Sequence, residues 1–266
     1  MNKLPLSVFI IARDEADRIL PVIRSVIDWV EEVFVIDSGS TDDTVEVSRN
    51  AGADVVFNEW AGYGPQKVFG ETLCSQKWLL NIDADEEVSD SLRREITSMF
   101  EGGQEPPLAA YQIPILICFP FDKGPRPFAP SNDPIRLYNR EKAGFKSELV
   151  HDSVVLKPNE VSGKLKHHIN HRCFRSHHHA IEKINRYSSM QAEDMIKKGR
   201  KPSVLRLLTE PMTAFLKSMF LRRYVLFGVN GFTESVIYAF ARFIRLAKAR
   251  EAWKQHEANQ SPRMHD

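Results

Sequence analysis

Through the first hundred residues, apolar runs of strand length alternate with segments whose apolar residues recur every three or four positions, and acids stand where the runs end. Leu6–Ala12 is such a run; Ile19, Val22, Ile23, Val26, Ile27 and Val30 then mark an amphipathic helix. Val33–Ile36 forms a second strand that closes on Asp37. Gly39–Asp42 supplies a turn and an N-cap for a helix over Thr44–Ala51. Asp54–Phe57 reads as a third strand, Pro65–Cys74 as a helix and Trp78–Ile82 as a fourth strand, after which Ser89 caps a helix to about Phe100. This alternation predicts an α/β fold, a mostly parallel sheet sandwiched by helices. In such sheets the ligand sits outside the carboxyl ends of the strands, where the strand order reverses. Asp14, Asp37, Asp83 and Asp85 all fall just past strand ends, so four carboxylates are directed to one edge.

The rest of the 266-residue chain changes character. Gly102–Pro107 is linker-like, and short strands broken by Pro and Gly between 109 and 171 predict a mixed half-sheet completing the same domain. A helix follows over Ile181–Lys197, then two apolar-rich helical stretches, Val204–Phe227 and Thr233–Lys254. The expected organisation is a catalytic domain over 1–198, with halves 1–105 and 106–198, and a basic helical extension over 199–266. Between Arg200 and Lys254 stand eleven Lys or Arg and three Glu, a surplus of eight positive charges in a chain whose formal net charge is +1. A basic attachment surface joined to an acidic working domain follows. In Val236–Arg250, Val236, Phe240, Phe243, Ile244 and Ala247 form a stripe with Arg242, Arg245, Lys248 and Arg250 mainly off it. Such a helix suits an anionic membrane surface; the alternative is a helix packed on the main domain with its cations in water. No uncharged run reaches the roughly 18 residues of a spanning helix. Leu6–Ala12 is followed at once by Arg13, Asp14 and Glu15, unlike a signal peptide. Three scattered cysteines, Cys74, Cys118 and Cys173, fit a reducing compartment. The expected location is the cytoplasm, with the basic helices resting on a membrane surface, and no nucleic-acid partner is expected.

The strongest chemical signal is Asn81–Glu87, in which Asp83 and Asp85 flank one residue at the mouth of a strand. Mg²⁺ and Mn²⁺ take oxygen ligands, often one or two carboxylates plus substrate phosphates, so this pair suits a metal-diphosphate. By itself an Asp-x-Asp is more often a solvated turn; the strand before it and the other strand-end acids change that balance. Val35–Thr44 offers Asp37 as an acceptor for a nucleotide's ribose or base, with Gly39 allowing close approach; the plain alternative is a capped turn. Asp14 and Glu15 form a further acidic pair that could equally be a charged first helical turn.

Taken together, Ala12–Glu15, Ser25–Glu32, Val35–Thr44, Glu59–Lys67 and Trp78–Glu86 resemble, in order and spacing, the donor-binding half of family 2 glycosyltransferases. The pattern is most similar to the subgroup that extends the inner core of bacterial lipopolysaccharide. The resemblance implies the GT-A, Rossmann-like fold, an inverting hexosyltransferase, a UDP-hexose donor, Mg²⁺ or Mn²⁺, and a glycan or lipid-linked acceptor. It implies that Glu15 and Asp37 contact the nucleoside, that Lys67 lies near the base or phosphate, and that Asp83 lies by ribose and metal. Asp85 becomes the main metal ligand. Asp14 belongs to the donor site too, although the family usually has Asn there and Asp cannot donate to a base.

Glu148–Asp152 matches the place where the family carries His-Glu or His-Asp, making Asp152 the candidate base for the acceptor hydroxyl and His151 its neighbour. His171 aligns with a family histidine near the metal. The remaining histidines, His167, His168 and His177–His179, have no zinc spacing and read as an exposed loop. Lys183 and Arg186, one helical turn apart, resemble a family segment that meets the donor diphosphate or acceptor phosphates; a charged helix face is the alternative. Three rivals have weaker support. A haloacid-dehalogenase-like phosphatase carries its Asp-x-Asp after the first strand, not the fourth. A nucleotidyltransferase needs a glycine-rich basic loop that Arg13–Arg18 lacks. A catalytically inactive transferase-like scaffold has no need of Asp83, Asp85 and Asp152.

Overall fold

A computed structural model describes residues 3–119, 122–129, 131–146, 153–173 and 175–260. The chain forms two compact units, one of residues 1–118 and 131–173, the other of 119–130 and 174–266.

In the first unit the strands are β1 (Leu4–Ala12), β2 (Val30–Asp37), β3 (Asp54–Phe57), β4 (Trp78–Asp83), β5 (Glu86–Val88), β6 (Ala110–Gln112) and β7 (Ile115–Ile117). They continue with β8 (Ser131–Asn132), β9 (Ile135–Asn139), β10 (Ala143–Phe145), β11 (Val154–Leu156), β12 (Ser162–Lys164) and β13 (Ile169–His171). Its helices are α1 (Ile19–Arg24), α2 (Thr44–Asn50), α3 (Tyr63–Leu73) and α4 (Asp90–Met99). Among the described residues the main sheet has seven strands in the order β12-β6-β9-β4-β1-β2-β3. β3, β2, β1 and β4 run parallel, and β9 joins β4 antiparallel. The chain moves outward from β1 to β3 and returns to the other side of β1 with β4, so the order reverses between β1 and β4. This parallel-dominated α/β sheet, extended by an antiparallel portion, is the GT-A-type architecture that the resemblance implied.

β1 shows why its sequence is apolar almost throughout. Leu6, Val8 and Ile10 point into a core with Ile19, Val22 and Ile23 of α1 and Leu92 and Ile96 of α4. Phe9 and Ile11 point to the opposite face, where Phe69 and Leu73 of α3 pack. A strand covered on both faces has no polar side to display. The helix expected over Ile19–Val30 ends early: α1 stops at Arg24, Trp29 turns its indole N–H onto the Ser25 carbonyl at 2.7 Å, and β2 begins at Val30. The Leu4 amide bonds the Trp29 carbonyl at 2.9 Å and draws that segment to the sheet. A smaller sheet, β5-β13-β7-β8, places β13 antiparallel to β5.

The second unit holds α5 (His177–Lys197), α6 (Val204–Leu216) and α7 (Gly228–Gln260). By compactness α5 groups with the helical unit, where Lys248 of α7 reaches the Asn185 carbonyl at 2.7 Å. The long helical stretch expected over Val204–Phe227 is interrupted after α6 by a π-helical turn, Lys217–Leu221, and a 3-10 turn, Tyr224–Phe227. Gly231 is obligatory in this bend: a Cβ there would stand 1.9 Å from the Tyr224 carbonyl oxygen. His177–His179, expected in a loop, form the first turn of α5, capped by the Ser176 hydroxyl accepting from the His179 amide at 3.1 Å. Among the described residues, no helix is long and apolar enough to cross a membrane.

Candidate active site

Strand register sets the site. Ala12 of β1 pairs with Asp37 of β2, and Ile11 of β1 pairs with Asp83 of β4. The last residues of β2 and β4 therefore flank the end of β1, at the carboxyl edge where the order reverses and a crevice opens.

Asp37 is buried and organises its own turn. Its carboxylate accepts from the Gly39 amide at 2.9 Å and the Ser40 amide at 3.1 Å, with Gly39 at φ +86° where a side chain would be strained. A carboxylate offers about four lone-pair sites, so this turn still leaves acceptor capacity. Asp14 adopts a left-handed conformation, φ 55°, and accepts from the Thr41 amide at 2.7 Å. Asp, like Asn, tolerates that region, and here its side chain ties the β1–α1 loop to the β2–α2 loop. The Glu15 amide donates to the Thr44 hydroxyl at 2.7 Å, while its carboxylate accepts from Arg18 at 2.8 Å. Arg18 in turn places a nitrogen 3.3 Å from Asp85.

Asp83 and Asp85 have different surroundings. Lys67 of α3, 1% exposed, sets Nζ 3.1 Å from Asp83 Oδ1, and Arg136 of β9 donates to Asp83 Oδ2 at 2.8 Å. Arg136 also donates to Glu86 at 2.7 Å and to the Asn81 side-chain oxygen at 2.7 Å. Burial opposes ionisation of both acids. Arg136 and Lys67 overcome it at Asp83 and hold its carboxyl well below the usual range, while Glu86, sharing Arg136 with a second anion, is pushed well above it. Lys67 reaches Asp83 because α3 lies very close to the sheet: a Cβ on Gly70 would come within 2.6 Å of the Phe9 ring and 3.1 Å of Ile36.

Asp85 faces His171 Nε2 at 3.4 Å. Burial disfavours charge on this pair, but their hydrogen bond and mutual attraction lower the Asp85 pKa and raise that of His171. A divalent ion bonded to both in adjacent positions at about 2.1 Å would hold those atoms about 3 Å apart, so the spacing fits. Among the described residues no three His, Cys, Asp or Glu side chains group closely enough to hold an ion unaided. One or two carboxylates, with the remainder from phosphate and water, is the pattern Mg²⁺ commonly adopts, and here Asp85 offers the carboxylate.

Residues 7–105 match the family described as "Glycosyl transferase family 2". A glycosyltransferase of Rickettsia prowazekii is 45% identical over 254 residues, spanning 92% of this chain and 87% of the relative. The chain is a family 2 glycosyltransferase. A lipopolysaccharide core biosynthesis glycosyltransferase, LpsC of Rhizobium meliloti, is 28% identical and spans 99% of the transferase and 97% of that relative. Glucosyl-3-phosphoglycerate synthase from Mycobacterium tuberculosis is similar over 40% of the transferase and 42% of that chain, at 26% identity and a TM-score of 0.35.

In the transferase, Asp14, Glu15, Asp37, Lys67, Asp83, Asp85 and His171 all belong to the sheet-based unit, and contacts link Asp14 to the β2 turn, Lys67 to Asp83, and His171 to Asp85. Asp152 and His151 lie outside the described residues. Lys183 and Arg186 are exposed on α5 in the helical unit, with the Arg186 guanidinium 5.5 Å from the centre of the Tyr187 ring.

Sequence reading missed Arg18, Glu86 and Arg136. Arg136 had a signal: it is a lone charge within the apolar run Ile135–Tyr138, and such a charge must have a buried partner. Arg18 stands three residues after Glu15, a helical pairing distance. Glu86 gave less, because nothing local distinguishes it from Glu87, which pairs instead with Arg172 at 2.7 Å.

Proposed function

We propose that this transferase moves a hexose, glucose or galactose, from a UDP-sugar to a lipid-linked glycan of the lipopolysaccharide-core type, with inversion, at the cytoplasmic face of the inner membrane. One observation supports the reading above the others: the tips of β2 and β4 bring Asp37 and Asp83 to either side of β1 at the order reversal, with the Asp85–His171 pair following Asp83. In this reading Asp37, beside Glu15, accepts from the nucleoside, and Asp83 stands by the ribose. Lys67 and Arg136 keep Asp83 ionised and fixed, so that it presents an anion without rearranging as donor arrives. Asp85 and His171 hold Mg²⁺ or Mn²⁺, which offsets charge developing on the departing diphosphate. Arg18, next to Asp85, adds a second cation on that side. His171 would hold such an ion through its neutral imidazole, so ion binding would compete with a proton there.

Asp152 is assigned as the base from the resemblance alone, to remove the proton of the acceptor hydroxyl as it attacks the anomeric carbon. A single displacement inverts that carbon. Lys183 and Arg186 are assigned to phosphates of donor or acceptor on the same footing, and the half over 106–198 to acceptor binding. The membrane placement is supported by the basic C-terminal helices and by the likeness to a lipopolysaccharide core enzyme.

A thermal-shift screen of nucleotide-sugars with Mn²⁺ tests the donor, since a bound ligand raises stability by mass action. Stabilisation by a UDP-hexose above other nucleotide-sugars is expected, followed by acceptor-dependent release of UDP. Stabilisation by a different nucleotide class, or by none, contradicts the donor assignment.

A further inference from the structure

The helical unit exposes much more apolar surface than a solvated bundle needs. On α6, Leu205, Leu208 and Met212 recur at three- and four-residue spacing and are 69, 71 and 62% exposed. Leu221, Leu226 and Val229, in and around the turns that lead into α7, are 77, 59 and 80% exposed. Monomeric soluble proteins seldom display apolar side chains on this scale unless something covers them. The stripe anticipated on α7 alone is the lesser part: Val236, Phe240 and Phe243 are exposed, but Ile244 and Ala247 are half-buried.

Charge identifies the covering surface. The Arg222 and Arg242 guanidinium groups lie 4.6 and 5.1 Å from the centre of one ring, Tyr238, and Arg242 also donates to the Tyr238 hydroxyl at 2.9 Å. Lys217 adds its field at the same ring, lowering the Tyr238 pKa together with the two arginines against the effect of burial. Two of the three acids between Arg200 and Lys254 are engaged elsewhere, Glu210 by Arg206 at 2.7 Å and by Arg245, and Glu234 beside His177 at 3.9 Å. Two guanidinium groups at one ring within the field of Lys217, with Arg222 following exposed Leu221 and Arg242 preceding exposed Phe243, match phosphate headgroups above acyl chains.

We infer that the α6 stripe and the Leu221–Val229 bend insert into the interface of an anionic phospholipid bilayer, with Lys217, Arg222 and Arg242 taking lipid phosphates. The inference rests on the reading of the protein as a membrane-surface enzyme and specifies the surface and lipid charge that reading requires. The attachment inferred here lies in the interface and is reversible.

Flotation of the full chain with vesicles tests it, using phosphatidylcholine alone and phosphatidylcholine with 30% phosphatidylglycerol, roughly the anionic content that gives a strong surface potential. Binding is expected only to the anionic vesicles. Leu208→Asp with Leu221→Asp, both exposed and so compatible with folding, is expected to lower the bound fraction at least tenfold. Arg222→Gln with Arg242→Gln is expected to lower it several-fold and to weaken its salt dependence. Wild-type chain that ignores anionic vesicles, or aspartate variants that float undiminished, overturns the inference. So does a wild-type dimer in solution that the aspartate pair converts to monomer, which would make this face a contact between copies. Donor binding, measured without vesicles, is expected to be unchanged in these variants. If wild type fails to bind donor yet floats, the transferase chemistry falls and the docking face stands.

Discussion

Arg136 Nη2 lies 2.7 Å from Glu86 Oε1, a buried pair that joins β9 of the main sheet to β5 of the smaller one, next in sequence to Asp85. The same nitrogen serves Asp83 at 2.8 Å, so one guanidinium neutralises the floor of the site. Removing a partner from a buried pair leaves an unbalanced charge and costs about 3–5 kcal/mol. Arg136→Met is therefore expected to lower unfolding stability by about that amount. Adding Glu86→Gln to that variant should restore a substantial part, because the buried carboxyl left without its guanidinium is replaced by an uncharged amide, while Asp83 keeps Lys67 at 3.1 Å. Denaturant unfolding of the two variants and wild type checks this; equal stabilities for the single and double variants would show that Arg136 does not act through Glu86.

Gly70 sets the distance between α3 and β1. An added methyl group meets Phe9 at 2.6 Å, and overpacking of that kind typically costs about 1–3 kcal/mol. Gly70→Ala gains helix propensity, about 1 kcal/mol, yet is expected to be destabilised on balance and to bind donor more weakly as Lys67 is lifted from Asp83. Thermal unfolding and UDP titration check it. A stabilised variant with wild-type UDP affinity would show that the helix moves without disturbing the site.

At the opposite end of the sheet, Glu32 accepts from the Ser75 amide at 2.9 Å and from the hydroxyls of Ser7 and Ser75. Burial opposes its ionised form, but these hydrogen bonds prevail and hold its pKa below the ordinary value near 4.5. The folded state therefore binds a proton less readily than the unfolded one. The stabilisation is complete above pH 4.5 and is lost as pH falls through the lower folded pKa. Being partly exposed, the contribution should be no more than about 1 kcal/mol. Glu32→Gln is expected to flatten the acid limb of the stability–pH curve below that point and to leave donor binding alone. Parallel curves for the two proteins would remove Glu32 as a source of acid sensitivity.

Legibility from sequence divided along physical lines. β1, β2 and β4 and the acids at their ends were readable because a doubly covered parallel strand must be largely apolar, and Asp37 and Asp83 mark where those runs end. Lys67 was found only through resemblance: on a helix it looks like any surface cation, and its burial depends on Gly70 allowing α3 to approach. His171 lies at the end of β13, a three-residue strand too short for periodicity, and its place beside Asp85 follows from antiparallel pairing with β5, a contact between positions 85 residues apart. Arg18 and Arg136 went unread because their roles exist only once β4, β9 and the β1–α1 loop converge. The exposed apolar surface of the helical unit was half-visible: charge and the α7 stripe pointed to it, but the exposure of Leu208 and Leu221 depends on how the turns between α6 and α7 fold.

The central claim is that Asp85, with His171, holds a divalent ion for a donor diphosphate. Titration of UDP into the protein with and without Mn²⁺, for wild type and Asp85→Ala, tests it most directly. Mn²⁺ is expected to tighten UDP binding at least tenfold in wild type, about 1.4 kcal/mol, and to have no such effect in the variant, which should remain folded. Equal Mn²⁺ enhancement in both proteins would contradict the assignment of the ion to Asp85.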